Sequence, residues 1–237
     1  MTYDFIGLDV SLNHLGMCAV SGATGKLTEW AFLTDVKKFI KEDPDHGELY
    51  RAPSARSDHS DHFRRIETFV RFVHMRLGWW MPSGGNQIAA IEGYALKTKN
   101  TRMYETAELT GAIKRKVVRR MRLLRVHDPD TVKSFAVNYG HAQKEQMYQQ
   151  FVDETGVSIP TTWLKDGGKR ILSGPGTDVA DAYFLARMAW MEHQLRVAEI
   201  RLQDLPPHLQ KIFTRETKAY PLNLMERPYA ELGEIRC

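Results

Sequence analysis

Cysteine is nearly absent from the 237 residues. Cys18 and Cys237 are the whole complement, too few for a disulfide framework or a zinc site built on cysteines. Such scarcity fits a reducing compartment, so a cytoplasmic location is expected, the host cytoplasm if the chain is viral. Long apolar runs are missing as well: none approaches the ~18–20 residues of a membrane span. Asp4 and Asp9 break up the first ten residues, so no signal peptide is expected there. There is no G-x-x-x-x-G-K-[ST] loop and no dinucleotide fingerprint, which leaves nucleotide hydrolysis without its phosphate cradle. Internal repeats and low-complexity tracts are absent too. Hydrophobic residues at 43% against 26% charged exclude wholesale disorder.

What is present in excess is positive charge, and it is concentrated. Lys97, Lys99, Arg102, Lys114, Arg115, Lys116, Arg119, Arg120, Arg122 and Arg125 are opposed over the same stretch by Glu105 and Glu108 alone. Ten cations against two anions give this segment +8, while the whole chain carries +4. A basic stripe on a near-neutral body suits a polyanion, because each neutralised phosphate releases counterions. The alternative is a solvated helix face.

Apolar runs at 3–10, 15–20 and 26–33, joined by short turns, predict an antiparallel meander. Residues 34–58 are polar, with Pro44, Gly47 and Pro53, and predict a long loop or insertion. Phe63, Ile66, Phe69, Val70, Val73 and Leu77 recur at helical spacing. The run at 87–94 predicts a buried strand, 102–121 a helix and 123–128 a short strand. Shorter helices are expected over 130–137 and 142–154, then a long one over 177–198. The order predicts a three-layer α/β domain on a mixed sheet over 1–198, followed by a tail, 199–237, of no evident role.

Acidic residues stand where apolar ones belong. Asp9 ends one strand run and Glu92 another, and a carboxylate buried in a strand is costly unless compensated. Each either accepts backbone N–H groups at a strand end or shares a bound divalent cation. Asp178 and Asp181, three apart at the start of an apolar helix, lie on one helical face. They either cap and complement the helix dipole or turn toward the sheet. All four converging would suit two Mg²⁺ ions, ~3.5–4 Å apart, acting on a phosphodiester.

These residues give the sequence a family likeness. FIGLDVSLNHLGMCAV, IAAIEGY, DPDTVKSFAVNYGHAQKEQMYQQF and DVADAYFLA, in this order over roughly 4–195, resemble the RuvC-type Holliday junction resolvases of the RNase H-like superfamily. The D-x-x-D-A element after V-K-x₆-G-x₃-K is the specific part. The resemblance implies an RNase H-like fold, with a five-stranded mixed sheet between helices. It implies that Asp9, Glu92, Asp178 and Asp181 are the metal-binding catalytic quartet, with two Mg²⁺ ions for which Mn²⁺ substitutes. It makes Lys133 and Lys144 the basic residues beside the scissile phosphate, and it implies a homodimer acting on four-way DNA junctions by paired nicks. Stretches 34–58 and 199–237 have no counterpart in the compact bacterial enzymes; bacteriophage and viral relatives vary at such places. Tyr94 follows Glu92 one position earlier than the family's junction-centre aromatic, and is either that residue or an ordinary strand-end aromatic.

The remaining DNA contacts are expected from Lys97, Lys99, Arg102, Lys114, Arg115 and Arg119. The apolar set Met103, Leu109, Ile113 and Val117 either meets its twin across a dimer axis or packs on its own sheet. Lys144, opening a helix, is unfavourable to the dipole there and points to a bound anion. His14 and His127 are within the range of metal or phosphate ligands but more simply structural, and Trp79-Trp80 either packs or stacks on a base. Competing readings are another RNase H-like nuclease, of hybrid-cutting or transposase type, and a branched-DNA binder that does not cut. The latter would leave four acids repelling phosphates. An actin-like ATPase is excluded by length, since that architecture needs two such domains.

Overall fold

A computed structural model describes residues 4–50, 59–80, 87–93, 103–121, 123–216 and 222–231. Strands β1 (Asp4–Val10), β2 (His14–Val20) and β3 (Leu27–Thr34) form the expected meander. Its first turn is closed by Ser11, whose hydroxyl accepts the His14 N–H and donates to the His14 carbonyl. The next stretch is structured rather than loop-like: α1 (Lys37–Glu42) leads to a short β4 (Gly47–Leu49) parallel to β3. The reason is Phe39, whose burial anchors an otherwise polar segment in the core. Residues 51–58 lie outside the described residues.

Helix α2 (His59–Trp80) precedes β5 (Gln87–Glu92), and α3 (Met103–Arg120) precedes β6 (Leu123–His127). Then come α4 (Pro129–Val137), α5 (Lys144–Thr155), the hairpin β7 (Thr162–Asp166) and β8 (Lys169–Ser173), and α6 (Pro175–Arg196). Helix α7 (Pro207–Thr214) and β9 (Ala230–Glu231) complete the described chain. The main sheet has the order β4-β3-β2-β1-β5-β6-β9. Its five central strands are the expected mixed sheet, with β1, β5 and β6 mutually parallel; β4 and β9 extend it at the two edges.

Strand alternation divides the core in two. Ile6, Leu8, Leu15, Met17, Ala89 and Ile91 face α2 and α3. Phe5, Cys18, Val20, Ile88 and Ala90 face α6, with α4, α5 and α7 beside it. Leu109, Ile113 and Val117 are fully buried in the first of these layers. The expectation that this set meets a twin is therefore corrected: these side chains are consumed by their own sheet. Trp80 packs on that layer while Trp79 is exposed. Helix α6 is apolar on nearly every side, as a central helix must be.

The tail after 198 also differs from expectation. Ile212 and Phe213 of α7 are buried, Phe135 and Phe213 meet edge to face, and β9 pairs antiparallel with β6. Arg125, counted above in the basic stripe, is inside: it pairs with Glu192 and donates to the Arg227 and Pro228 carbonyls. A residue counted toward the stripe from charge alone is thus a structural cation. Among the described residues, no helix is long and apolar enough to cross a membrane.

Candidate active site

The site begins with two glycines. Gly7 lies on the sheet face turned to α6, and Gly16 is opposite Asp9 in the β1–β2 register. A Cβ on Gly7 would collide with the Ala182 carbonyl, and one on Gly16 with the backbone at Asp178 and Val179. Lacking side chains, both let α6 lie directly on the strands. The first two turns of α6 are thereby pressed against the end of β1. Cys18 marks the same contact, its thiol donating to the Val179 carbonyl at 3.3 Å.

Asp9 is the next α6-facing residue of β1 after Gly7, and Glu92 closes β5, the parallel neighbour in which Ile91 pairs with Leu8. The two carboxyls therefore emerge side by side at one end of the sheet. Helix α6 begins at Pro175, with Gly174 (φ 113°) as its N-cap and no side-chain cap bond. Neither Thr177 nor Asp178 caps it. The capping alternative is overturned because the helix starts two residues earlier than 177, although Asp178 does lie in its first turn, where it suits the dipole. Thr177 instead donates to the Gly174 carbonyl.

Lysines complete the group. Lys144, at the first position of α5, donates to Asp178 Oδ1 at 3.1 Å and reaches Thr177 Oγ1 at 3.4 Å. The charge at that helix start is paired with Asp178. Lys133, on α4, lines a small cleft with Glu92, Asp181, Val132, Met147 and Leu185. Its charge acts on both Glu92 and Asp181. All six residues named from the resemblance stand together.

Four carboxyls against two lysines leave the group short of positive charge. Burial, then the Asp178 charge, pushes the Asp9 carboxyl up to about 6. Burial, then Asp9, pushes Asp181 up to about 8. Burial and the charges of Asp9 and Asp181 hold Glu92 well above the ordinary carboxylate value, and a hydrogen bond between the Asp9 and Glu92 carboxyls raises Glu92 while lowering Asp9. Burial works against the Lys144 charge, yet Asp178, Asp181 and Asp9 together outweigh it and keep this lysine protonated beyond its usual range. Asp178 Oδ2 is buried with no hydrogen-bond partner.

Among the described residues, no group of three or more His, Cys, Asp or Glu side chains is arranged as a ready cage for an ion. The donor set nevertheless fits a hard divalent cation: all four groups offer oxygen, one of those oxygens is orphaned, and burial with mutual repulsion raises the pKa of Asp9, Glu92 and Asp181, a repulsion that an ion would relieve.

The other expected contacts are scattered. Tyr94, Lys97, Lys99 and Arg102 lie outside the described residues. Lys114 is half-buried, and burial lowers its pKa. Arg115 and Arg119 are exposed on the second half of α3. That helix, ~27 Å long at 1.5 Å per residue, returns the chain from the carboxylate end of β5 to the far end of β6. Its last cations therefore stand away from the acids. His127 is fully buried, both ring nitrogens lack a hydrogen-bond partner, and desolvation keeps the ring neutral. Sequence reasoning missed Thr177, Gly7 and Gly16; a glycine two residues before a strand-end acid was the available sign.

No family model matches the sequence, and no curated protein matches it. Solved structures do. The Thermus thermophilus RuvC structure superposes with a TM-score of 0.52 at 16% identity, covering 81% of this chain and 96% of that one. The T. thermophilus RuvC in complex with a Holliday junction substrate gives 0.52 at 14% identity, with the same coverage. A looser likeness, TM-score 0.31 at 9% identity over 74% and 49%, is to the Aquifex aeolicus member of the Ppx/GppA family. The fold is that of RuvC, an RNase H-like α/β fold.

Proposed function

We propose that this chain is a metal-dependent, structure-selective DNA endonuclease that resolves four-way junctions, and other branched DNA, by paired nicks. The observation that supports it is the carboxylate group itself: Asp9, Glu92, Asp178 and Asp181 at the mouth of a RuvC-type fold, with Lys133 and Lys144 against it. In such a site Mg²⁺, or Mn²⁺ in its place, supplies Lewis-acid polarisation of the phosphoryl group and lowers the pKa of water.

The four acids would hold two ions, and binding would begin with proton loss from Glu92 and Asp181. Asp178 offers its buried free oxygen. Lys144 keeps Asp178 oriented through Oδ1 and stands ready to neutralise an incoming phosphate. Lys133 does the same from the Glu92–Asp181 side of the cleft. Gly7 and Gly16 keep the strand and helix carboxyls at fixed separation. Paired nicks require two such sites related by a two-fold axis, which an isologous homodimer supplies.

Incubation with a mobile-arm four-way junction, a linear duplex and an RNA–DNA hybrid, each with and without Mg²⁺, tests the reading. Symmetric nicks in the junction, only with the ion, are expected. Cutting confined to the hybrid would transfer the site to another RNase H-like activity. Wild-type nicking by Asp9→Asn would sink the assignment altogether.

A further inference from the structure

The hairpin β7–β8 stands outside the main sheet, and nothing in the reading above uses it. Its turn is Gly167-Gly168, both at positive φ (54° and 82°), the requirement of the primed two-residue turns that suit twisted hairpins. Directly opposed residues of an antiparallel pair share a face, as do residues two apart. Trp163 opposes Leu172, and Lys165 opposes Arg170. One face therefore carries Trp163, Lys165 and Arg170, with Leu172 at its root. Trp163 is 49% exposed, Leu172 is buried, and the Arg170 guanidinium lies 5.0 Å from the centre of the Trp163 ring. The hairpin holds Lys165, Lys169 and Arg170 against a single acid, Asp166.

The arm is rooted in the carboxylate site. The Leu172 N–H donates to Glu145 Oε1 at 3.1 Å, and Glu145 is the residue after Lys144, whose ammonium holds Asp178. The Gly176 N–H donates to the Pro160 carbonyl, tying the first turn of α6 to the segment entering β7. A Cβ at Gly176 would press on the Thr161 side chain and the Ile159 carbonyl, so that approach is close. Tyr148 fixes the same segment, its hydroxyl accepting the Ile159 N–H and donating to the Ile159 carbonyl. Five residues per strand carry the tip ~16 Å from this root.

We propose that this hairpin is a second nucleic-acid contact, which holds an unpaired or unstacked nucleotide at a branch by stacking its base on Trp163 while Lys165 and Arg170 take the adjoining phosphates. The proposal rests on the endonuclease reading and names how that site selects branched DNA. An exposed aromatic between cations matches the π-face and charge of an unstacked nucleotide. A linear duplex offers phosphates but keeps its bases stacked, so Trp163 adds nothing there.

Fluorescence anisotropy in EDTA separates binding from cutting. Full-length wild type, Trp163→Ala and the double variant Lys165→Ala/Arg170→Ala would each be titrated with a four-way junction and with a linear duplex of equal length. Melting temperatures would confirm that each variant is folded. Trp163→Ala is expected to weaken junction binding about tenfold, the equivalent of ~1.4 kcal/mol and one base stack, with less than about twofold change on duplex. The double variant is expected to weaken both and to lower the salt slope by about two. Junction affinity unchanged in folded Trp163→Ala overturns the proposal while leaving the nuclease intact. So does a change confined to molecular mass by light scattering, which would make the hairpin a contact between copies of this chain. A wild type that binds no branched DNA removes the endonuclease reading and this one with it.

Discussion

Helix α6 buries charge at both of its ends. At the first two turns, Asp178 and Asp181 join Asp9 and Glu92, and among the described residues the cations acting on them are Lys144 and Lys133. At the last two turns, Glu192 is clasped by two guanidiniums. Arg125 Nε donates to Glu192 Oε2 at 2.9 Å, Arg125 Nη2 binds Oε1, and Arg196 Nε donates to Oε1 at 2.9 Å. The spare donors go to carbonyls of the tail: Arg196 reaches Leu224 and Arg227 at 2.6 Å each, and Arg125 reaches Pro228 at 2.9 Å. Tyr229 lies beneath both guanidiniums. Buried charge is normally paired and hydrogen-bonded, and the second end obeys that rule. The first end violates it, with carboxyls crowded against one another and an orphaned oxygen. Such a deficit beside an intact counter-example is what supports the proposal that the first end binds a cation.

The largest expected effect breaks the first end alone. Asp181→Asn should lower junction nicking on the order of 10³-fold or more, since removing one member disables a unit that acts together. Its metal-free stability should be unchanged or higher, because a repelled acid has been removed. Gel assays in Mg²⁺ and urea melts in EDTA read the two quantities; a marked loss of stability would make Asp181 structural and erase the contrast.

Breaking the second end should do the reverse. Arg125→Ala leaves Glu192 buried without its main partner and is expected to cost about 3–5 kcal/mol of stability, measured by urea denaturation. Arg125→Met with Glu192→Gln should recover part of that loss. Nicking by the folded fraction should stay within a few-fold of wild type.

Lys144→Ala is expected to slow single-turnover cleavage at saturating enzyme by ~10²-fold, whereas Arg119→Ala, on the remote half of α3, should cut normally once saturated. Equal rates for both would reduce Lys144 to a docking charge.

The smallest effect is a pH trend. The folded pKa values of Asp9 and Asp181, about 6 and about 8, exceed the ordinary aspartate value of 3.8. Between pH 4 and 8 the unfolded chain therefore binds fewer protons than the folded one, and the contribution of these groups falls as pH rises. In EDTA, the melting temperature should drop from pH 5 to pH 8, and Asp181→Asn should flatten that slope. A slope that Asp181→Asn leaves unaltered would contradict the cause.

Much of this was legible in one dimension. Acids ending the runs FIGLDV and IAAIEG, and the pair in DVADA, stood out because each broke a local apolar pattern, and a period of two or 3.6 says which face a residue takes. The hairpin β7–β8 is less legible: K-D-G-G-K is turn chemistry, but its strands lie outside the main sheet and carry no alternating burial pattern. Phe39 and Ile40 could not announce α1, because two adjacent apolar residues set no period. The tail was opaque for a similar reason, being held by carbonyl groups that every residue possesses.

What sequence by itself determined were the strands, the central helix and the four acids, since these follow from local periodicity and from the cost of a charge in an apolar run. Only tertiary structure decided which charges were satisfied. Arg125 and Arg119 are the same residue type in one basic stretch, yet one is locked beneath Tyr229 and the other stands in solvent. Asp178 and Glu192 lie on one helix, yet one keeps a bare oxygen and the other has both oxygens matched. Partners distant in sequence make that difference, because the energy of a buried charge depends on what surrounds it in space.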